Sequence, residues 1–304
     1  MKKIIVTTTI NSPTKALKLF NNMPGWELIV IGDMKTPHEE YKDYNYFSPD
    51  KQKERYPELS KALGWNCIQR RNIGFVEAYR LGADIIASVD DDNIPLAGWG
   101  KNLLIGKEIT IDSYDNGLVF NPLSVTPYPE LWHRGYPLQA LKTSNLKKTK
   151  VTLTPDIQAD LWNGEPDIDA VCRFMHNCDC EFDKNMKPFT SSSFSPFNSQ
   201  NTFLTRNAIE DYFMFPFIGR MDDIWASYFM EALGFKVVYN KATVYQDRNP
   251  HDITSDFVKE FKGYVNTMHL LKDMKKDGSS IMNYLSVEAL RAYTIYITTI
   301  GKYE

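Results

Sequence analysis

Three consecutive aspartates, Asp90, Asp91 and Asp92, directly follow the apolar segment Ile85–Val89. A short apolar run bounded by turn residues predicts a strand that is buried on both faces. Such a strand delivers the residues that follow it to the carboxyl edge of a sheet, where open α/β sheets bind ligands. Adjacent anions repel one another, and Mg²⁺ or Mn²⁺ relieves the repulsion while it also binds substrate phosphates. The triplet therefore indicates a metal–diphosphate site, with a solvated acidic turn as the alternative interpretation.

A second acidic pair, Asp222 and Asp223, precedes an apolar stripe with helical spacing. One acid is expected to cap the helix, because an aspartate there accepts hydrogen bonds from the free N–H groups of the first turn. The other is then available as a general base or as an acceptor for a sugar hydroxyl.

Two further candidates lie in irregular segments. Arg134, among prolines and aromatic residues, suits an anionic or sugar ligand, unless the loop is merely packed by its own aromatics. His251 follows a late strand and can ligate a metal there, although a lone surface histidine is the commoner case.

Three other side chains occupy positions where α/β sheets commonly bind nucleotides. Thr8 lies at the end of the β-branched segment Lys3–Thr9, and its hydroxyl can meet a nucleotide; plain β propensity is the alternative. Asp33 follows a second predicted strand and can accept hydrogen bonds from a base or ribose, as well as simply forming a turn. Arg71 lies at the start of a predicted helix, where it can bind phosphate or belong to a solvated face.

The spacing of apolar residues predicts which strands and helices carry these side chains. Strands are predicted over 3–9, 26–31, 85–89, 117–121 and 236–245, a helix over 69–81, and a loop over 41–57. Alternation of strands and helices predicts an α/β fold with a mostly parallel sheet. From residue 253 onward the pattern is helical, which predicts a C-terminal helical appendage. Its last helix is interpreted as ordinary packing, with a homo-oligomer contact as an alternative.

Composition narrows the class of protein. The chain has 304 residues, of which 43% are hydrophobic and 24% charged, as in soluble globular proteins. A net charge of −3 provides no field for nucleic acid. Four cysteines in a chain of this length do not indicate a disulfide scaffold. The first residues are interpreted as a strand and not as a signal peptide, and no apolar run is long enough to span a bilayer. We therefore expect a cytoplasmic protein, either free or peripheral at the inner face of the membrane.

Several of these segments, in the same order, resemble nucleotide-sugar enzymes of the GT-A type. The segments VIGDMKTP, RRNIGFVEAYRLGADIIASVDDDNIP and YQDRNPHD resemble the STELLO-type glycosyltransferases. The segments RGYP, LWNGEPDIDA and GRMDDIWASYF resemble the reversibly glycosylated polypeptides, which include the plant UDP-arabinopyranose mutases. The resemblance covers roughly residues 4–255. It implies a GT-A, Rossmann-like nucleotide-sugar domain over residues 1–252, with 253–304 as a helical extension packed on it.

The resemblance also assigns roles to individual residues. The triplet matches the aspartates that hold a divalent metal and the nucleotide diphosphate, which implies Asp92 and Asp90 as metal ligands, with Asp90 and Asp91 toward the nucleotide. Asp33 matches the nucleotide-side aspartate. Arg134 matches the arginine that is glycosylated in the reversibly glycosylated group. Asp222 and Asp223 match its paired aspartates on the sugar or acceptor side.

Two departures from the reversibly glycosylated group favour a transferase over a mutase. A second arginine of that group is replaced here by Leu141, and the nearest histidine after the late strand is His251, in a STELLO-like context. We therefore expect a metal-dependent transferase that moves a sugar from a UDP-sugar to a glycan, lipid-linked or other hydroxyl acceptor, in polysaccharide biosynthesis. In this interpretation Thr8, Asp33 and Arg71 hold the nucleotide. A UDP-sugar mutase that is glycosylated at Arg134 is the alternative, and a binding protein without catalysis is a second one.

Overall fold

The computed structural model describes residues 1–143, 145–176, 179–247 and 252–301. The described strands are β1 (Lys3–Thr9), β2 (Glu27–Gly32), β3 (Tyr46–Phe47), β4 (Ile85–Val89), β5 (Asn93–Pro95), β6 (Ile109–Asp115), β7 (Lys147–Leu153), β8 (Ile157–Gly164), β9 (Phe189–Ser191), β10 (Asn201–Thr205) and β11 (Val237–Gln246). The described helices are α1 (Lys15–Asn21), α2 (Pro49–Arg55), α3 (Pro57–Leu63), α4 (Arg71–Arg80), α5 (Ala170–Met175), α6 (Arg206–Ile209), α7 (Asp222–Ala232), α8 (Ile253–Met274) and α9 (Val287–Ile300). Short 3₁₀ turns, including Ile68–Arg70 and Gly219–Met221, connect several of them.

All of these strands join one mixed sheet. Its order is β3-β2-β1-β4-β10-β8-β11-β9-β6-β7, and β5 pairs with β11 outside this path. The predicted α/β class is confirmed. The expectation of a mostly parallel sheet holds for β3, β2, β1 and β4, whereas β10 runs antiparallel to both of its neighbours. The pairs β8–β11 and β6–β9 are also parallel, so the sheet is mixed beyond β4.

The parallel half of the sheet explains why its strands are continuously apolar. β4 is buried at all five positions, and β1 pairs with β2 on one side and β4 on the other. Helix α4 packs closely over β1 at Gly74, where a Cβ would collide with the Val6 side chain. The absence of a side chain at this position permits the close approach. A glycine inside the helix therefore serves close packing, although glycine weakens the helix itself. The carboxyl ends of β1, β2 and β4 consequently lie at one edge of the sheet.

Two local predictions are wrong. The apolar segment 117–121 is not a strand. Residues 117 and 118 form a turn, and Val119 makes a single β-bridge to Phe194. Val119 and Phe120 are apolar because they are buried. The segment 41–57, predicted to be a loop, contains β3 and α2. Ser48 caps α2 through its side chain and Pro49 occupies the first turn. These two residues favour the start of a helix, although the segment lacks the spacing of apolar residues from which a helix is predicted.

The C-terminal segment is helical, as predicted. Helix α8 packs against α5 and α7, and α9 packs against α3 and α4. Tyr296 of α9 donates a hydrogen bond to the Ile209 carbonyl at 2.7 Å. Whether residues 1–252 form a separable domain stays a prediction. None of the described helices has both the length and the apolar character needed to cross a membrane.

Candidate active site

A cavity of about 550 Å³ opens where the first strands end. Most of the residues that line it have carboxylate, cationic or amide side chains. The lining consists of Cys67, Ile68, Gln69, Asp90, Asp92, Arg134, Asp167, Ser199, Gln200, Gly219, Arg220, Asp222, Asp223, Gln246 and Lys259. The two acidic clusters that are more than a hundred residues apart in sequence thus share one cavity. Such convergence of charged groups in a concave site is typical of an active site.

Arg71 organises the side of the cavity nearest β4. Its guanidinium is almost fully buried and pairs with Asp90 at 2.6 Å. It also donates to the Thr8 hydroxyl at 3.1 Å and to the Ser199 carbonyl at 2.9 Å. The structure therefore brings together Thr8, Arg71 and Asp90, three of the residues predicted to hold the nucleotide.

The three aspartates of the triplet are not equivalent. Asp90 and Asp92 line the large cavity, whereas the Asp91 carboxylate accepts hydrogen bonds from the Thr9 hydroxyl and the Asn11 amide. Burial raises the pKa of Asp91, although these two hydrogen bonds oppose the change. Asp91 thereby ties the end of β1 to the end of β4.

The chemistry of the donors at this edge fits a hard divalent cation. Asp90 and Asp92 supply carboxylate oxygens beside the Gln246 side chain, and Mg²⁺ or Mn²⁺ is commonly held by two carboxylates plus phosphate oxygens. Among residues 1–143, 145–176, 179–247 and 252–301, no group of three or more His, Cys, Asp or Glu side chains is arranged to hold a metal. His251, the third predicted ligand, lies outside the described residues. The metal therefore stays a prediction.

A second cavity of about 230 Å³ adjoins the first, and Cys67 and Ile68 line both. It is lined by Asp33, Asp91 and residues at the end of β1. Asp33 is buried after β2, and its carboxylate accepts hydrogen bonds from the Met34 N–H at 2.7 Å and the Cys67 N–H at 3.0 Å. Asp33 thus fixes the segment that forms the wall between the two cavities.

Arg134 is clamped between two carboxylates. Its guanidinium makes two hydrogen bonds to Asp167, at 2.9 and 3.0 Å, and two to Asp223, at 2.9 and 3.1 Å. A fifth goes to the Arg220 carbonyl. An arginine side chain has five N–H donors, so all of them are engaged. Burial opposes the charged form, but the two carboxylates outweigh it and raise the pKa of Arg134 above its ordinary value.

The adjacent acids Asp222 and Asp223 have different surroundings. Burial would raise the pKa of Asp223, but the Arg134 guanidinium lowers it below its ordinary value, and Ser199 donates two further hydrogen bonds. Burial and the charge of Asp223 instead raise the pKa of Asp222 to about 7. Asp222 accepts a hydrogen bond from the Gln69 amide at 2.8 Å. Asp223 is therefore held ionised, whereas Asp222 can exchange a proton near neutral pH.

Helix α8 completes the opposite wall. Arg220 pairs with Glu260 at 2.9 Å and with Asp256 at 3.5 Å, and both acids belong to α8. Gly219 adopts a positive φ of 67°, and a Cβ there would collide with the Lys259 carbonyl. The close approach brings Lys259 into the cavity lining. The predicted helical extension thus contributes directly to the site.

Several residues of the site were not found by sequence reasoning. Asp167 lies in the LWNGEPDIDA segment, but nothing in its local spacing shows that it meets Arg134. Gln69 and Ser199 are ordinary polar residues whose roles depend on long-range contacts. The signal that was available on α8 is the spacing of Asp256 and Glu260, which places two acids on one face of a helix.

Comparison with known proteins agrees with the motifs. No protein-family model matches the chain. It is 26% identical over 299 aligned positions to "Probable glycosyltransferase STELLO1" of Arabidopsis thaliana, an alignment that covers 89% of this chain. It is 28% identical over 189 positions to "Probable glycosyltransferase STELLO2" of the same plant, which covers 56% of this chain. The chain is similar to the STELLO-type glycosyltransferases. The resemblance to the STELLO-type glycosyltransferases is thereby confirmed, whereas the resemblance to the reversibly glycosylated polypeptides stays a prediction.

The STELLO alignments cover only part of the plant proteins, 38% of STELLO1 and 24% of STELLO2. Among solved structures, glucosyl-3-phosphoglycerate synthase from Mycobacterium tuberculosis, in complex with phosphoglyceric acid, aligns with a TM-score of 0.41 and 10% identity. That alignment covers 89% of this chain and 79% of the synthase.

Proposed function

We propose that this protein is a glycosyltransferase that transfers a sugar from a nucleotide sugar, a UDP-sugar, to a hydroxyl acceptor. The observation that carries the proposal is a pair of adjacent cavities that share Cys67 and Ile68 in their linings. The smaller one contains Asp33 and suits a nucleoside, and the larger one contains Asp90, Asp92 and Asp222. A nucleotide sugar that spans the shared wall at Cys67 would present its diphosphate to the aspartates and its sugar to Asp222.

Each group has a distinct part in this proposal. Asp90 and Asp92 would hold Mn²⁺ or Mg²⁺, which supplies neutralising charge for a diphosphate leaving group when it is bound. Arg71 orients Asp90. Asp222, with a pKa of about 7, is suited to take the proton of an acceptor hydroxyl. Asp223 and Arg134 hold the cavity wall in place beside it.

A thermal-shift screen of nucleotide sugars with and without Mn²⁺ tests the proposal, because a ligand that binds only the native state raises the melting temperature. We expect a UDP-sugar to stabilise the protein only when the metal is present. Asp92→Asn should lose both this shift and turnover, whereas Asp112→Asn should retain them, because Asp112 is a half-buried aspartate on β6 that pairs with Lys148 outside both cavities. Metal-independent stabilisation of the Asp92 variant would contradict the proposed metal site.

The alternative function, a UDP-sugar mutase glycosylated at Arg134, is less well supported by the geometry. A guanidinium attacks a sugar only through a nitrogen that has lost a proton and is free of partners. Arg134 has all five donors engaged, and its two carboxylates favour the charged form. Incubation with a UDP-sugar alone, followed by intact-mass analysis, discriminates the two functions. A transferase should show no sugar adduct on Arg134 and no ring-contracted UDP-sugar, whereas a mutase should show either.

A further inference from the structure

Another cavity, of about 530 Å³, lies at the opposite edge of the sheet from the candidate active site. We call it the distal cavity; the side chains that line it include Ser113, Leu153, Glu231, Phe235, Lys236 and Lys275. Val237 at the start of β11 also lines it, whereas Gln246 at the end of β11 lines the large cavity. Its volume is within the range of about 300–1,000 Å³ that is common for small-molecule sites.

Ser113 contributes a hydroxyl to the floor of the distal cavity. It pairs with Thr190 of β9, and because paired residues point to the same face of a sheet, this face forms the floor. Ser113 is only 4% exposed, and its hydroxyl has no hydrogen-bond partner among the residues that the structure describes. By contrast, the hydroxyl of Ser193, which is equally buried, donates to Asp115 at 3.1 Å. A buried hydroxyl without a partner is costly, so a ligand or a water molecule is expected to hydrogen-bond to Ser113.

Glu231 supplies a carboxyl group to the same cavity. Its Oε2 accepts a hydrogen bond from the Ser195 N–H at 2.8 Å. No cationic side chain of the described residues pairs with Glu231. Burial raises the pKa of Glu231, although the hydrogen bond from Ser195 opposes the change. A carboxyl group has about four lone-pair sites, so Glu231 retains positions for hydrogen bonds to a ligand.

The rest of the lining narrows the chemistry of the ligand. Lys236 and Lys275 are exposed at the cavity and disfavour a cation, while a bare anion has no donor for the Glu231 carboxyl group. The half-buried side chains of Leu153 and Phe235 provide apolar surface. A saccharide has hydroxyls that both donate and accept, together with apolar C–H faces. It therefore matches the hydroxyl, carboxyl and apolar groups of the cavity at once.

We propose that the distal cavity is a binding site for a saccharide, with sugar hydroxyls bonded to Ser113 and Glu231 and a C–H face against Phe235. The inference goes beyond the proposed function, because the distal cavity lies at the opposite edge of the sheet from Asp92 and binding there requires neither a metal nor a nucleotide. Unlike the donor site, it would recognise the sugar itself and not a diphosphate.

Saturation-transfer NMR on the whole protein, without metal or nucleotide, tests this inference. The probes are methyl glucoside, methyl galactoside, methyl mannoside, N-acetylglucosamine, maltose and lactose. We expect at least one of them to bind. Ser113→Ala should weaken that binding by about fivefold, because one hydrogen bond is lost. It should not lower the melting temperature, because the Ser113 hydroxyl has no partner among the described residues to lose.

Two variants serve as controls. Ser60→Ala removes a buried hydroxyl outside the distal cavity that accepts a hydrogen bond from Arg70 at 2.7 Å. It should lower the melting temperature and leave sugar binding unchanged. Asp92→Asn alters the large cavity and should bind the sugar as the wild type does.

Failure of every sugar to bind would overturn the inference, as would equal binding by the wild type and Ser113→Ala. Loss of sugar binding in Asp92→Asn would also overturn it, because the sugar would then occupy the large cavity. So would inorganic phosphate or spermidine that binds in place of the sugars with the same dependence on Ser113, because the distal cavity would then be an ion site. A protein that binds a sugar there but turns over no nucleotide sugar would contradict only the proposed function.

Discussion

Asp222 and Asp223 are neighbours in the chain and line the same cavity, yet their surroundings move their pKa values in opposite directions. Arg134 holds Asp223 ionised, and the resulting charge, together with burial, raises the pKa of Asp222 to about 7. Two carboxyl groups with separated pKa values are a common basis for dividing roles between a proton acceptor and a fixed charge. The expectation that one of the two acids caps α7 is wrong, because the N-cap is Met221 and both acids lie inside the first turn, where their side chains bind other partners.

The first prediction concerns the pH dependence of Asp222. If Asp222 accepts the proton, turnover should rise as pH increases through about 7 and then level off. Asp222→Asn should lose this rise and reduce turnover by about 10²–10⁴-fold. The measurement is kcat against pH for both proteins. A rise that survives in the variant would assign the proton to another group.

The same substitution has a consequence for stability. The folded-state pKa of Asp222 lies above the unfolded value near 4, so the favourable contribution of its protonated form is full below pH 4 and is lost as pH rises through 7. Above that range the carboxylate is ionised beside Asp223. Asp222→Asn should therefore raise the free energy of unfolding at pH 8, by up to about 4 kcal/mol, and leave it nearly unchanged at pH 4. Urea unfolding at the two pH values checks this result.

A second residue-scale prediction concerns the Arg134 clamp. Lysine keeps the charge of Arg134 but cannot make two-pronged hydrogen bonds to both carboxylates. Arg134→Lys should lower the free energy of unfolding by about 3 kcal/mol, because Asp167 and Asp223 would be left buried with too few donors. Urea unfolding measures the loss. Arg291→Lys, outside the cavity on α9, is the control and should change stability by less than about 0.5 kcal/mol.

The ends of elements were more predictable than the contacts between them. Thr8, Asp33 and the triplet were found because each lies at the end of an apolar strand or directly after it, and β1, β2 and β4 do end at one edge. Asp167 was missed because it contacts Arg134 across 33 residues of irregular chain, a distance over which periodicity carries no information. The antiparallel direction of β10 was missed for a related reason: an apolar strand has the same period in either direction.

The prediction at the scale of elements concerns the attachment of α8 to Arg220. The Glu260 carboxylate accepts hydrogen bonds from Arg220, the Ala170 N–H and the Tyr264 hydroxyl. Glu260→Gln keeps the shape but removes the charge opposite Arg220. We expect KM to rise about three- to tenfold with a smaller change in kcat, because Arg220 would be less firmly placed in the cavity wall.

Steady-state kinetics with the donor and the acceptor varied in turn measures the Glu260→Gln effect. The matched control is Glu288→Gln, which alters a fully exposed glutamate in the first turn of α9. Its kinetics should be those of the wild type. An equal fall in kcat for both variants would show that the α8 contact has no special role.

At the scale of the whole molecule, the C-terminal helices are closely attached to the rest. Trp225 of α7 donates a hydrogen bond to Thr267 of α8 at 3.1 Å. A Cβ at Gly263 would collide with Met221, so α8 lies directly against the segment that leads into Asp222. The resemblance implied a boundary after residue 252, whereas these contacts join the two sides of that boundary through a common core.

A truncation after residue 252 decides between these two views. From the contacts of α8 and α9 we expect the shortened chain to expose Trp225 and Met221 and to lose cooperative unfolding in urea and nucleotide-sugar binding. A shortened chain that unfolds cooperatively and keeps its thermal shift with Mn²⁺ and UDP-sugar would establish residues 1–252 as an independent domain.

Asp91 is engaged differently from the acids on either side of it. Its carboxylate holds Thr9 and Asn11, and its carbonyl accepts a hydrogen bond from Thr14, the residue that caps α1. Replacement of Asp91 by a residue without a carboxylate in a related chain would therefore release Thr9 and Asn11, whereas the hydrogen bond from Thr14 to the backbone carbonyl would remain. Counting aspartates in an aligned triplet consequently overestimates how many carboxylates line the larger cavity. The two flanking acids are the ones that line the larger cavity, and the middle acid holds the segment that follows β1.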